Sequence, residues 1–423
     1  MKRGAFVLCL VVIGSGCDDD EPLYPVDGAP PSFDGGASDT ASIDSADAGS
    51  VPDVALGMSP LPPECAKDLN VPPHSLACTG LYADVAAKEL AIGVRGFTPA
   101  VPLWSDGAEK HRWIYLPPGT TIDNSNPNEW VFPVGTKAWK EFSHNGRRVE
   151  TRLWQKTQPN FWVKVAYAWN VDETAAVQTG GGDVTLPEGD VYHIPTQDEC
   201  QQCHRGRTEH LLGFEQVSLG LAGAQGITLS DLVAENRLTV PPARTTLVIG
   251  DDGTGAAAPA LAWLHINCGA CCHNDNSNAI AYGAGMRLRL DPNELDGRSA
   301  QLLSPMKTTI GIAARNPNFG GKTRILPGDA TNSLLYQLIT TRGGQSQMPP
   351  IASRLVDTVN VALVQDWIAK MPPLPAPPPD AASPDVAPAP DDAGAPDAAT
   401  PDTATGPDDA GAPDAEDDAD ATP

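Results

Sequence analysis

Apolar side chains occupy every second position in parts of the first half of the chain. One such run extends from Phe161 to Trp169, and a similar alternation covers Arg148 to Leu153. A period of two is typical of half-buried β-strands, and clusters of Pro, Gly and Asn separate these runs. Residues 61–195 are therefore predicted to form a β-rich domain with a sandwich or jelly-roll-like fold. Seven of the nine tryptophans fall in this stretch, where we expect them to pack in the core.

A helical period appears nearer the other end of the chain. Between Thr358 and Lys370, apolar residues recur along one stripe of a helix. A shorter apolar segment from Pro259 to Asn267 predicts a second helix. Between the two helices, Met348 is followed by two prolines, which predicts a rigid loop. Residues 259–372 are accordingly predicted to be mainly α-helical.

The N-terminus has the pattern of an export signal. Lys2 and Arg3 precede an apolar run that is too short to span a bilayer and has the length of a signal-peptide core. Small residues then lead directly to Cys17, which resembles the lipobox of bacterial lipoproteins. We expect residues 1–17 to be a lipoprotein signal peptide and Cys17 to be lipidated, with secretion without a lipid as the alternative. The protein is then expected in the cell envelope, lipid-anchored on the periplasmic or outer face of a bacterial membrane.

Acidic residues are concentrated at the two ends of the chain. Residues 18–60 hold ten of them and residues 373–423 hold thirteen, and neither segment contains Lys or Arg. Most of the formal net charge of −25 therefore lies outside the middle, and we expect no basic face for nucleic acid. Because both segments lack apolar periodicity, the first is predicted to be a disordered acidic tether and the second a disordered Pro-, Ala- and Asp-rich tail.

The nine cysteines divide between structural and chemical roles. One lies in the signal segment, and Cys17 is the lipidation candidate. Cys65 and Cys78 flank a short Pro-rich stretch, and in an oxidising compartment we expect them to form a disulfide. The other five lie in two clusters, at 200–204 and 268–273, and each cluster ends in a histidine.

The first cluster has the C-x-x-C-H pattern of c-type haem attachment, formed by Cys200, Cys203 and His204. Two thiols one helical turn apart can bond the two vinyl groups on one edge of a porphyrin, and the adjacent imidazole can bind the iron. Covalent attachment also holds the cofactor without a large pocket. We therefore expect haem c on these two cysteines, with His204 as an iron ligand.

The second cluster departs from this pattern by one residue. His273 follows Cys272 directly, but the position three residues before Cys272 is Gly269, and the available partner is Cys268. The resulting C-x-x-x-C-H spacing is a rarer attachment variant. We expect Cys268 and Cys272 to carry a second haem c with His273 as an iron ligand, and attachment through Cys272 alone is the alternative. Cys271 is left over.

Residues 61–372 resemble a bacterial di-haem c-type cytochrome family in which a β-rich N-terminal domain precedes two haem sites. The matching segments are FPVGT at 132–136, RRVETR at 147–152, AWN at 168–170, CQQCH at 200–204, NCGACCH at 267–273 and LPGD at 326–329. The resemblance implies a first haem-binding segment at 196–258 and a cytochrome c-like domain at 259–372. It also implies that Met348 is the sixth ligand of the second haem, and a His/Met pair raises the reduction potential.

The sixth ligand of the first haem is left open by the sequence. An open position is one alternative. The conceivable side-chain ligands are His193, His210, His265 and Met286. Arg205 and Arg207, which follow the first motif, are candidates for neutralising haem propionates.

These expectations favour a di-haem c-type cytochrome that transfers single electrons at the bacterial cell envelope, with redox proteins as partners and the membrane reached through an N-terminal lipid. An electron carrier is favoured over an enzyme because a fully ligated iron exposes no site for substrate. The alternative is a di-haem peroxidase-like oxidoreductase with an open first haem. A third interpretation is structural zinc, whose four ligands would be Cys200, Cys203, Cys268 and Cys271.

Overall fold

The computed structural model describes residues 59–65, 70–344, 346–351 and 353–375. The predicted signal peptide with Cys17, nearly all of the acidic tether and most of the C-terminal tail lie outside the described residues. Among the residues that are described, no helix combines the length and the apolar character needed to cross a bilayer. Within the first described segments, Cys65 and Cys78 form a disulfide with their Cα atoms 5.3 Å apart.

A seven-stranded antiparallel sheet dominates the first half, in the order β11-β3-β4-β5-β6-β7-β8, and β1–β2 and β9–β10 form two separate hairpins. The strands are β1 (Tyr82–Asp84), β2 (Glu89–Leu90), β3 (Arg95–Thr98), β4 (Glu109–Tyr115), β5 (Lys137–His144), β6 (Arg147–Gln158), β7 (Phe161–Trp169), β8 (Ala176–Thr179), β9 (Gly182–Thr185), β10 (Val191–Ile194) and β11 (Gln225–Gly226). The prediction of a β-rich region is confirmed. The expected sandwich or jelly roll is wrong, because the long strands form one sheet rather than two facing sheets.

Both faces of the sheet are covered by other parts of the chain. Adjacent residues of a strand point to opposite faces, so Leu153 of β6 packs in a core with Trp139 and Tyr167 and with residues of the β1–β2 hairpin. Trp154, the next residue, packs in a second core with Phe214 and other residues that follow the sheet in sequence. One layer is thus a hairpin and the other is helical. The tryptophans of both faces are largely buried, as expected.

Short helices joined by irregular segments make up the second half. They are α1 (Gln197–His204), α2 (Gln216–Gly220), α3 (Leu229–Ala234), α4 (Ala257–Leu264), α5 (Ser304–Thr309), α6 (Leu334–Thr340) and α7 (Thr358–Lys370). A π-helical turn, His265–Gly269, continues α4 directly. The predicted helices at 259–267 and 358–370 are therefore confirmed as α4 with its π turn and as α7, but the prediction that residues 259–372 are mainly α-helical is not confirmed, because irregular segments separate the short helices.

Helices α4 and α7 pack in a third core, which also contains Cys268. Two buried indoles connect this core to nearby loops. Trp263 of α4 donates its Nε1–H to Asp357, the N-cap residue of α7, at 3.0 Å. Trp367 of α7 donates to Asp252, just before α4, at 2.8 Å. These reciprocal bonds fix the two helices against each other, because a buried indole N–H needs an acceptor.

The predicted first haem-binding segment, 196–258, shares its packing with the sheet. Its strand β11 forms one edge of the sheet and pairs with β3. Helices α2 and α3 place Leu219 and Leu232 in the core that contains Trp154 of the sheet. The segment therefore lies against one face of the β-sheet, and this contact positions the first haem motif.

Candidate haem-binding sites

Helix α1 presents the first motif at helical spacing. A capping box starts the helix: the Thr196 hydroxyl accepts from the Glu199 N–H at 3.3 Å, and the Glu199 carboxylate accepts from the Thr196 N–H at 2.8 Å. Cys200 and Cys203 follow one turn apart, and His204 ends the helix. The sequence therefore places both thiols and the imidazole on one short, well-defined helix.

The ring of His204 is held in the tautomer that a metal ligand needs. Its Nδ1 lies 2.5 Å from the carbonyl oxygen of His210, so Nδ1 carries the proton and donates it. Nε2 then keeps its lone pair, as in histidines that bind metals through Nε2 while Nδ1–H bonds a carbonyl. Burial, reinforced by the charge of Lys140, holds the pKa of His204 well below its usual range, so the ring is neutral. It stacks on Trp154 with ring centroids 4.4 Å apart.

A cavity of about 440 Å³ lies between this helix and the sheet, and Cys200, Cys203 and His204 all line it. Its volume falls in the range of cofactor and small-molecule sites. Apolar and aromatic side chains form much of the wall, including Phe142 and Trp154. The motif therefore faces a space that suits a flat apolar molecule.

Five cationic side chains also line this cavity: Lys110, Arg112, Lys140, Arg152 and Arg354. Within the described residues, Arg152 forms an ion pair with Glu150 at 2.5 Å and Arg354 forms one with Asp183 at 3.4 Å, whereas the other three have no ion-pair partner. Burial and the neighbouring positive charges lower the pKa of Lys140 to about 7. Burial lowers the pKa of Arg112 to about 10. Because these cationic side chains outnumber the two carboxylates on the wall, Asp106 and Glu199, the cavity is electropositive as well as largely apolar; no pattern in the sequence predicts this.

The second motif sits on the π turn, which absorbs its extra residue. The Ala270 N–H bonds the His265 carbonyl at 2.6 Å, and the His273 N–H bonds the Cys268 carbonyl at 2.7 Å. Both are i→i+5 bonds, so this stretch holds one more residue per turn than an α-helix. Cys268 lies in this turn, and Cys272 follows it with its N–H bonded to the Cys268 carbonyl at 3.2 Å.

One ring nitrogen of His273 lacks a hydrogen-bond partner. The ring is buried, and its Nδ1 has no hydrogen-bond partner among the described residues. Burial lowers the pKa of His273 to about 4, so the imidazole is neutral. A buried ring nitrogen without a partner costs roughly 1–3 kcal/mol, which a bound group could offset.

The structure brings the two motifs into direct contact. The Asn274 side-chain N–H donates to the Gly206 carbonyl at 3.3 Å, across 68 residues of sequence. Hydrogen bonds with the thiols of Cys271 and Cys272 lower the pKa of the Cys203 thiol. Cys271 and Cys272 have their own sulfurs 3.2 Å apart. No periodicity or spacing in the sequence predicts this meeting of the two clusters.

Two of the candidate sixth ligands have both ring nitrogens engaged. His265 pairs Nε2 with a Glu215 oxygen at 3.1 Å, and its Nδ1 accepts from the Leu290 N–H at 3.0 Å. His193 lines the cavity, but it pairs Nδ1 with Asp183 at 2.6 Å and Nε2 with Glu199 at 3.0 Å. Neither histidine has a free lone pair for iron in this arrangement.

The other candidates lie away from the cavity wall. His210 directs Nδ1 to the His204 carbonyl at 3.1 Å and lines a separate open cleft together with Arg205 and Arg207. Arg207 is buried and lies 3.5 Å from Glu129. Met286 packs against the α4–α7 core. Arg205 and Arg207, considered for the first haem's propionates, therefore face a different space from the one beside Cys200.

Met348 lies on a loop that is anchored at its backbone. Its N–H bonds the Leu338 carbonyl at 2.9 Å, and its carbonyl accepts from Arg342 at 3.2 Å. The side chain is partly buried against the same core that contains Cys268. The loop thus places Met348 and the second motif on a common core.

The zinc interpretation gains no support from the geometry. Among the described residues, the one group of three His, Cys or carboxylate side chains with ligand atoms within 4.8 Å of one another is His144, Glu188 and Asp190. The four cysteines required for zinc do not form such a group.

The residues of the first site fit a covalently held haem in three respects. They supply two thiols at the attachment spacing, a neutral imidazole with a free Nε2 lone pair, and a cavity with apolar walls and unpaired cations. The buried, unpartnered nitrogen of His273 marks the second site as suited to a bound group. Comparison of the chain with protein-family models, curated proteins and solved structures found no match.

Proposed function

We propose that the protein is a di-haem c-type cytochrome that transfers single electrons at the bacterial cell envelope. The observation that carries the proposal is the first site, where C-x-x-C-H on α1 borders a cavity of about 440 Å³ and His204 keeps Nε2 unprotonated. Bound haem supplies an iron centre that gains or loses one electron. The residues of this chain attach it, orient it and set its surroundings.

Each haem is assigned its own set of side chains. Cys200 and Cys203 bond the first haem through their thiols, and His204 binds its iron. The second haem is held by Cys268 and Cys272, with His273 as the iron ligand and Met348 as the sixth ligand. In both cases a neutral, buried imidazole is available without the cost of removing a proton.

The contact between the motifs supports electron transfer between the haems. The segments that carry the two motifs meet where the Asn274 side chain donates to the Gly206 carbonyl, at 3.3 Å. Two cofactors attached to these neighbouring segments would lie close to each other. An arrangement of this kind suits a carrier that takes an electron at one haem and passes it on from the other.

The cell-envelope location belongs to the same proposal. A lipid on Cys17 anchors the chain to the membrane, and the acidic tether separates the folded part from the surface. The partners are then redox proteins in the same compartment, and nucleic acid is not among them. Haem c attachment and the Cys65–Cys78 disulfide are both compatible with an exported chain.

A di-haem peroxidase-like oxidoreductase is the second candidate, and one observation favours it. Both ring nitrogens of His193 are engaged in hydrogen bonds, although this histidine lines the cavity of the first haem. If no other side chain reaches the iron, the first haem has an open position where peroxide can bind.

Full-length protein, matured in a host that attaches haem c, tests both candidates. We expect haem staining that survives denaturation, and a mass increase equal to two haems. A protein that contains zinc and no iron would overturn the proposal. Carbon monoxide then separates the candidates: absence of binding to the reduced protein supports an electron carrier, whereas binding at one haem supports the peroxidase-like enzyme.

A further inference from the structure

Three cations form a row across adjacent strands of the sheet. Arg112 of β4 lies directly opposite Lys140 of β5, and Lys140 lies directly opposite Arg152 of β6. Lys110, two residues before Arg112, points to the same face. Like charges directly opposite each other destabilise a sheet. The row is therefore an arrangement that the sheet by itself does not favour.

The carboxylates near the row are already engaged. Glu150 accepts from Arg152 and from the Tyr192 hydroxyl at 2.9 Å. Glu199 caps α1 and pairs with His193. These carboxylates leave Arg112 and Lys140 without an ion-pair partner among the described residues.

The other carboxylate that lines the cavity beside Glu199 is also engaged. Asp106 accepts from the backbone N–H groups of Arg354 and Leu355, each at 2.9 Å. The Lys110 ammonium group is bonded to a backbone carbonyl, that of Leu103, and forms no ion pair among the described residues. Buried cations with no counter-ion are costly, and burial accordingly lowers the pKa values of Lys110 and Lys140. An anionic group from outside the chain would offset this cost and favour the charged forms.

The row lies beside the first haem motif. Trp154 is two residues after Arg152 on the same strand face, and it stacks on the ring of His204. The cations and the motif residues Cys200, Cys203 and His204 line one cavity. A group attached to the thiols therefore shares this space with the cations.

We propose that Lys110, Arg112 and Lys140 bind the two propionate carboxylates of the first haem. This inference rests on the proposed function, because it takes the occupant of the cavity to be haem. A flat apolar macrocycle with two carboxylates matches both the aromatic wall and the unpaired cations. The sheet thus provides the side chains that bind the propionates and raise the reduction potential of the first haem. Arg205 and Arg207 do not have this role, because they face another cleft.

Lys140→Gln in the haem-loaded protein tests this assignment by the two midpoint potentials, measured spectroelectrochemically. A nearby cation stabilises the reduced iron, which carries one positive charge fewer. We expect one potential to fall and the other to stay as in the unaltered protein. Lys140→Arg, which keeps the charge, should restore the potential. Arg95→Gln removes a cation from β3 of the same sheet, where Arg95 is exposed and paired with Glu235, and should change neither potential.

The possible failures are distinguishable. Unaltered protein that carries no haem overturns the proposed function, and this inference with it. Protein with two haems whose potentials are the same in Lys140→Gln as in the unaltered chain overturns only the propionate assignment. The same holds if Arg95→Gln lowers a potential as much as Lys140→Gln does, since the effect is then one of general charge. Should Lys140→Gln not fold, Arg112→Gln is measured in the same way.

Discussion

Cys271 is the thiol that the attachment pattern leaves over. It is buried, and its sulfur lies 3.2 Å from that of Cys272. We expect Cys271→Ser to retain both haems. Cys272→Ser should lose the second haem, or hold it by one thioether bond, because the thiol adjacent to His273 is gone.

Mass spectrometry of the denatured protein measures this difference directly. The two variants make the same atomic change at neighbouring positions, so each is the control for the other. Loss of a haem in Cys271→Ser, with retention in Cys272→Ser, would assign attachment to Cys271 instead.

Met348 is the residue expected to set the potential of the second haem. A thioether ligand favours reduced iron, and the Met348 loop is anchored at its backbone on the core that contains Cys268. Met348→Ala is expected to lower one midpoint potential and to leave the other nearly unchanged. Redox titration of the absorption bands measures both, with Met306→Ala, a buried methionine of the same core, as the control for lost packing. Two unchanged potentials would remove Met348 from the ligand set.

Gly206 allows the two motif-bearing segments to approach closely. A Cβ atom at this position would lie 1.7 Å from the carbonyl oxygen of Cys271, and backbone atoms cannot yield as a side chain can. We expect Gly206→Ala to lower the free energy of unfolding by about 1–3 kcal/mol or more, in line with overpacking of an interior. Urea unfolding of the purified protein measures this.

Gly180→Ala is the matched control for Gly206→Ala. A Cβ atom at Gly180 meets nothing within 4 Å, and an exposed substitution of this kind changes stability by about 0.5 kcal/mol or less. Equal unfolding curves for Gly206→Ala and the unaltered protein would contradict the close approach of the two segments.

Elements with a clear period could be predicted from the sequence, and their partners could not. The alternation in β7 reflects the two-residue period of a strand, and the stripe of α7 reflects burial of one side of a helix; a single segment reveals either period by itself. What covers the sheet is decided by residues distant in sequence, and so the sandwich expectation failed. The pairing register that places Arg112 opposite Lys140 likewise cannot be predicted from the sequence of either strand alone. The two Cys/His clusters could be recognised because each is a short local pattern, whereas the contact between them spans 68 residues.

At the scale of the whole molecule, α2 connects the sheet to the α4–α7 core. Val217 packs in the core that contains α4, and Leu219 packs in the core that contains Trp154 of the sheet. Glu215, the N-cap of this helix, is buried and reaches His265 of the π turn, 50 residues away. Disturbing this carboxylate should therefore affect the molecule as a whole.

Glu215 makes the protein sensitive to acid. Burial alone would raise its pKa, but the interactions with His265, Arg207 and Ser218 outweigh burial and hold the pKa of Glu215 well below its usual range. In the unfolded chain a glutamate titrates near a pKa of about 4.3. Below that pH the unfolded state binds a proton that the folded state does not. The stability that Glu215 contributes is thus fully present above about pH 4.3 and is lost as the pH falls further.

Glu215→Gln removes this contribution. Charge-assisted hydrogen bonds are worth about 1.5–3 kcal/mol, so the variant should be less stable by roughly that amount at pH 7, and the gap should narrow below about pH 4 as the unaltered protein loses its own advantage. Urea unfolding at the two pH values measures both quantities. Glu235→Gln breaks the exposed pair with Arg95 and is the control, expected to change stability by less than about 1 kcal/mol. A gap that persists undiminished in acid would show that Glu215 acts through packing rather than through its charge.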